Sequence, residues 1–146
     1  MSKTPKWSRV LLDTGPLVAI LNKADSQHAR CVDTLREIDP PLLTCWPVLT
    51  EAAWLLRSDP QAVSRLLQSG DSGLFRLLGV DQSELPEIEK LRARYRDQRP
   101  QLADLTILHL ARRENLSTIF TLDRRDFSVF RRRGRSGFDL LPEGLS

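Results

Sequence analysis

The sequence predicts an α/β fold, a three-layer sandwich in which a mainly parallel β-sheet is flanked by helices. Strand-length apolar runs alternate with helical stretches along the whole chain, and prolines repeatedly stand where a helix would open or stop. Parallel strands need crossovers, and in this order a helix supplies each one. The 146 residues show no compositional break, internal repeat or low-complexity segment. They are therefore read as one domain over 1–146, with 1–8 as a flexible N-terminal extension.

The first element is the apolar run Arg9-Val10-Leu11-Leu12-Asp13, a buried strand with a polar stop. Thr14-Gly15-Pro16 then turns the chain into a helix through Leu17 to Leu21, closed by Asn22. Ala29, Val32, Leu35 and Ile38 recur at helical spacing within Ser26 to Ile38, and Pro40-Pro41 ends that helix. Leu42 to Trp46 reads as the second strand. Pro47 opens a helix to about Arg57, and Pro60 opens the next. A third strand fits Phe75 to Val80, followed by a charged amphipathic helix from about Pro86 to Asp97. Beyond Pro100, Ala103 to Asn115 is a strong helix, Ser117 to Leu122 a fourth strand, Phe127 to Arg133 a short helix and Phe138 to Leu141 a final strand.

Composition narrows the function classes. No apolar run approaches the roughly 18 to 20 residues needed to cross a bilayer. The N-terminus lacks a signal-peptide arrangement because Asp13 and Gly15-Pro16 interrupt the apolar stretch, so a cytoplasmic location is expected. Cys31 and Cys45 make no close-spaced set with each other or with the two histidines, which argues against a zinc site and a disulfide framework. His28 and His109 have no nucleophile or acid partner at a persuasive spacing. Trp7, Trp46 and Trp54 are read as core or dimer contacts. The net charge of +3 and the pI near 9.2 suit a polyanionic partner. Arg131, Arg132, Arg133 and Arg135 form the densest basic cluster, read either as a contact for the backbone of a polyanionic partner or as a solvated face.

Against that background four acids stand alone in uncharged stretches. Asp13 is the only charge from Val10 to Asn22, Glu51 from Pro40 to Leu56, and Asp104 from Gln101 to Ala111, while Asp123 is the first acid after Glu114. Glu51 shares a helical face with Val48 and Leu55, and Asp104 with Ile107, Leu108 and Ala111. Both acids are expected in the first turn or so of their helices. Asp13 and Asp123 close apolar strands, whose carboxyl ends border the ligand crevice in an open parallel sheet. Carboxylates gathered at neutral pH need a cation, and oxygen ligands without histidine or thiolate favour Mg²⁺ or Mn²⁺. Such a site suits phosphodiester hydrolysis. Any single acid also has a plain reading as a cap or a buried ion pair, and Asp126 is read first as a cap for the helix at Phe127.

These motifs resemble the PIN-domain nucleases, and within them the VapC-like toxins of toxin-antitoxin pairs. The matching segments are Val10-Leu11-Leu12-Asp13-Thr14, Thr50-Glu51-Ala52, Leu102-Ala103-Asp104-Leu105-Thr106 and Thr121-Leu122-Asp123-Arg124-Arg125-Asp126-Phe127, in an order and spacing that span nearly the whole chain. The resemblance implies a PIN-like parallel sheet, Mg²⁺- or Mn²⁺-dependent cleavage of RNA to 5′-phosphate and 3′-hydroxyl ends, frequent homodimerisation, and inhibition by a small cognate antitoxin. It places Asp13, Glu51, Asp104 and Asp123 at the family's acidic positions and gives Thr14 a metal-bound water to hydrogen-bond. Two positions depart from the pattern: Gly15-Pro16 follows the first motif where relatives often carry Ser or another small residue, and Gln101 stands where many carry a further acid. The alternatives are a stand-alone RNA-processing nuclease and a catalytically silent RNA- or protein-binding module on the same fold. Asp13-Thr14-Gly15 also matches the aspartic-protease triplet, but here the triplet opens a helix in an α/β chain.

Overall fold

The computed structural model describes residues 4–134 and 136–145. Its elements are β1 (Leu11–Leu12), α1 (Thr14–Leu21), α2 (His28–Leu35), β2 (Leu42–Thr44), α3 (Trp46–Leu55), α4 (Pro60–Asp71), β3 (Phe75–Leu77), α5 (Leu85–Arg94), α6 (Leu102–Arg113), β4 (Thr118–Phe120), α7 (Arg124–Phe127) and β5 (Asp139–Leu141). Short 3-10 turns at Gln82–Glu84 and Arg96–Gln98 flank α5. The strands form one five-stranded sheet in the order β3-β2-β1-β4-β5, and every pairing is parallel. This is the α/β architecture that the alternation predicts.

Strand order decides where a site can form. From β1 the chain steps outward to β2 and β3, then crosses back to β4 and β5 on the other side of β1. Connections therefore leave β1 and β4 in opposite directions, and a crevice opens between their carboxyl ends. The central strands are enclosed on both faces: Val10, Leu11, Leu12, Leu42, Ile119 and Phe120 have no exposed surface. Helix α6 is buried along Leu105–Ala111 as well, so its stability comes from packing rather than from propensity.

Four local expectations change. Pro16 stands in the first helical turn as expected, but Thr14 and Gly15 share that turn of α1 rather than forming a turn before it. Pro16 is tolerated there because first-turn N–H groups have no intrahelical partner. Gly15 lets this turn approach the end of β4, since an added Cβ would lie 3.3 Å from the Leu122 Cβ. The short helix spans Arg124–Phe127, not 127–133. It starts early because Asp123 caps it, and it stops early because Phe127 and Phe130 turn inward, with Phe130 packed edge-on against Tyr95. Trp46 belongs to α3 rather than to the second strand. Finally, the expected loose extension is tied down at Trp7: its N–H donates to Glu37 O at 3.0 Å and its carbonyl accepts from Asp39 N at 2.8 Å. Residues 1–3 lie outside the described residues, as does Arg135. No helix among the described residues is long and apolar enough to cross a membrane.

Candidate metal centre

The crevice at the strand ends has a volume of about 590 Å³, and Asp13, Glu51, Asp104, Asp123 and Asp126 all line it. The four acids singled out from the sequence therefore converge on one place, and a fifth joins them.

Asp13 follows β1 and caps the backbone of α1, so its carboxyl lies where strand and helix meet, only 5% exposed. Its Oδ2 accepts a 2.7 Å hydrogen bond from the Thr121 hydroxyl, whose oxygen in turn accepts from Asp123 N at 2.9 Å. Thr121 thus locks the acid after β1 to the loop after β4. Burial pushes the Asp13 carboxyl up to about 6, with smaller contributions from Glu51 and Asp123, while the Thr121 hydrogen bond works the other way.

Asp104 sits in the first turn of α6, where its Oδ2 accepts from Gln101 N at 3.2 Å. The plain capping role and a place in the crevice are therefore held by one side chain. Its carboxyl is pushed up to about 7, first by burial and then by the negative charge of Asp13. Asp123 accepts from Asp126 N at 3.1 Å and is the cap of α7. Asp126 does not cap that helix: it is buried, one of its carboxylate oxygens has no hydrogen-bond partner, and burial followed by the Asp123 charge raises its carboxyl. Oxygens of Asp104, Asp123 and Asp126 all lie within 4.8 Å of one another.

Glu51 stands apart from that tight group. It lies in the second turn of α3 rather than the first, half-buried, and burial raises its carboxyl. Val48 is buried beneath it, but Leu55, expected on the same covered face, is 52% exposed. Thr14 lies beside Glu51 and offsets part of its rise, yet the Thr14 hydroxyl is buried without a hydrogen bond of normal geometry.

This donor set fits a hard divalent cation. Five carboxyls face one space, two buried polar groups at Thr14 and Asp126 lack partners, and among the described residues no histidine or cysteine lines it. Cys45 is buried with its thiol pushed up to about 11, which removes it as a thiolate ligand. His28 Nδ1 is bonded to Ala19 O, and His109 Nε2 to Glu84.

The arginines that line the crevice are Arg99 and Arg125. Arg99 occupies the left-handed region at φ +50°, a strained backbone for a residue with a Cβ, at the rim of the crevice. The C-terminal cluster is placed differently. Arg131 turns its guanidinium onto the carbonyls of Ser128, Val129 and Phe130, Arg132 N donates to Ser136 O, and Arg133 lines a separate pocket. None of these three lines the acidic crevice, because the helix expected to carry them ends at Phe127.

Two of these residues had a readable signal. Asp126 lies three residues beyond Asp123, on one face of the same helical turn, and Thr121 lies two residues before it, on the same side of an extended chain. Arg99 had none, since its place depends on the 3-10 turn after α5.

Comparison with known proteins agrees with this geometry. The chain is 29% identical over 135 residues to Ribonuclease VapC26 of Mycobacterium tuberculosis, covering 91% of this chain and all of that protein. Its fold matches the crystal structure of VapC20 of Mycobacterium tuberculosis, a toxin that cleaves the sarcin-ricin loop, with a TM-score of 0.72 and 18% identity over 80% of this chain and 91% of that one. The family model of the PIN domain matches residues 10–134, which contain every acid of the crevice, and the chain belongs to the PIN-domain family.

Proposed function

We propose that this chain is a Mg²⁺-dependent endoribonuclease of the VapC kind, with Mn²⁺ able to substitute, acting in the cytoplasm as the toxin of a toxin-antitoxin pair. The observation that carries the reading is the convergence of Asp13, Glu51, Asp104, Asp123 and Asp126 at the strand-order reversal. The relatives named ribonuclease and toxin support it.

Asp104, Asp123 and Asp126 would hold the ion, and Asp13 would complete the set from the strand side. A bound Mg²⁺ supplies Lewis acidity, lowering the pKa of a water and neutralising charge on the phosphate. Thr121 keeps Asp13 and Asp123 in register. Glu51, with a raised affinity for a proton, is suited to take the proton that the attacking water gives up. Arg99 and Arg125 flank the acids and offset their repulsion of a phosphate. The products carry 5′-phosphate and 3′-hydroxyl ends. The test is cleavage of total RNA by the purified protein with EDTA, then with Mg²⁺ or Mn²⁺ restored. Metal-independent cleavage, or fragments ending in cyclic phosphates, would overturn the reading.

Homodimerisation belongs to the same reading. Trp46, Trp54 and Leu102 are each more than 60% exposed, and together they line an apolar groove that borders Glu51 and Gln101. Three large apolar side chains in one groove mark an interface. A second copy is assigned to it, and the cognate antitoxin is expected to reach the crevice beside it. Trp46→Ser/Trp54→Ser should convert a dimer in light scattering to a monomer.

A further inference from the structure

A second pocket, of about 170 Å³, lies between α5, the last turns of α6 and the loop after Phe130, and its charge is opposite to that of the crevice. Lys90, Arg94, Arg112, Arg113 and Arg133 line it against a single carboxylate, Glu87. Lys90 pairs with Glu87 at 3.0 Å and Arg113 with Glu84 at 2.7 Å. Among the described residues Arg94, Arg112 and Arg133 have no carboxylate within salt-bridge distance, and Arg112 bonds only the Arg131 carbonyl. Cations converging on a concave surface repel one another, and an anion relieves that repulsion.

We propose that this pocket binds a phosphate of the RNA backbone away from the cleaved bond, so that the substrate is a strand long enough to reach from the acidic crevice to the basic pocket. The inference rests on the ribonuclease reading above. Two features favour RNA over an acidic protein segment. The lining carries one aliphatic side chain, Leu91, itself nearly covered, so the pocket lacks the apolar centre of a protein interface. The pocket is also linked to the crevice by a short basic stretch: Arg94 lines the one and Arg99 the other, with Arg96 between them. That step of chain spans at most about 18 Å.

The test uses the full chain with Arg94→Gln/Arg133→Gln, at two exposed positions, and with Arg94→Lys/Arg133→Lys. Binding of single-stranded poly(U) is followed across a salt series with Ca²⁺ in place of Mg²⁺. The Gln variant should flatten the slope of log affinity against log salt by about 0.7 for each phosphate it no longer neutralises, while the Lys variant keeps the wild-type slope. An unchanged slope in the Gln variant overturns the proposal, as does a Lys variant that loses as much as the Gln variant. So does a Gln variant that keeps its slope but no longer retains a co-purifying protein. Cleavage of total RNA by the wild type in Mg²⁺ separates the two levels: cleavage with an unchanged slope removes the pocket alone, and no cleavage removes the ribonuclease reading with it.

Discussion

Helix α6 carries a carboxylate environment at each end, and the two are opposites. In its first turn Asp104 faces Asp13, Asp123 and Asp126, and its carboxyl is pushed up to about 7. At its far end Glu84 accepts from His109 at 2.8 Å and from Arg113 at 2.7 Å, and hydrogen bonds from Asp81 N and these two side chains hold its carboxyl down at about 2. The same chemical group is thus driven in opposite directions within one helix length, about 18 Å at 1.5 Å per residue. A carboxylate that completes a structure finds its donors inside the protein. The crevice acids keep only neutral donors, at Thr121, Gln101 N and Asp126 N, and none pairs with a cationic side chain among the described residues, so the missing positive charge is left to a ligand.

Breaking the acidic end should give the largest effect. If the proposed metal site is right, Asp13→Asn and Asp104→Asn are each expected to lower Mg²⁺-dependent RNA cleavage by at least about 100-fold with the fold intact, because a proposed ligand and its charge are removed at nearly constant volume. Cleavage assays paired with circular dichroism decide this. Two folded variants with near-wild-type turnover would take both residues out of the site. Thr121→Val comes next. It removes the donor to Asp13 and leaves Asp123 N without its acceptor, so cleavage should fall by about tenfold and stability by about 1–3 kcal/mol. Thr121→Ser should restore both, since only the hydroxyl is needed.

The legible part of the molecule was whatever a short window of sequence determines. Apolar runs ended by Asp13 and Asp123, and the helical face of Asp104, fix elements and their ends, and strand ends fix where a crevice can lie. Interactions between distant segments were not legible. Asp126 reads as a cap until Asp123 takes that place three residues earlier. Trp7 reads as loose until its pairing with the Glu37–Asp39 segment is seen. Arg131, Arg132 and Arg133 read as one patch, but tertiary packing of Phe127 and Phe130 breaks the helix that would align them.

The metal-free protein offers a sharper contrast, because the raised carboxyls make the acidic end a pH-dependent cost. Asp13 and Asp104 bind protons more tightly folded than unfolded, so their contribution is fully present below about pH 4 and is lost as pH rises through about 6 to 7. In EDTA at about pH 8, Asp104→Asn should therefore be more stable than wild type, by about 1–2 kcal/mol once its partial exposure is allowed for. The gap should close on acidification to about pH 4. Mg²⁺ should raise the melting temperature of the wild type more than that of the variant. A variant less stable than wild type throughout would mean that the cap on Gln101 N outweighs carboxylate repulsion.

Glu84→Gln probes the other end, with the smallest expected effect and the reverse dependence on pH. Glu84 is more acidic folded than unfolded, so its contribution is present above about 4.5, its unfolded value, and is lost as pH falls through about 2. The variant should melt slightly below wild type at neutral pH, and the difference should vanish in strong acid. RNA cleavage should persist, because Glu84 bonds His109 and Arg113 rather than any acid of the crevice. Poly(U) binding should become somewhat stronger, since removing this carboxylate frees Arg113 toward the basic pocket that it lines. Melting curves across pH, taken beside those of Asp104→Asn, set the two ends of α6 against each other: opposite signs would separate the carboxylate that holds the fold from the one the fold holds for a ligand. The same sign in both would mean that burial alone, and not the choice of neighbours, governs the carboxylates beside the two ends of α6.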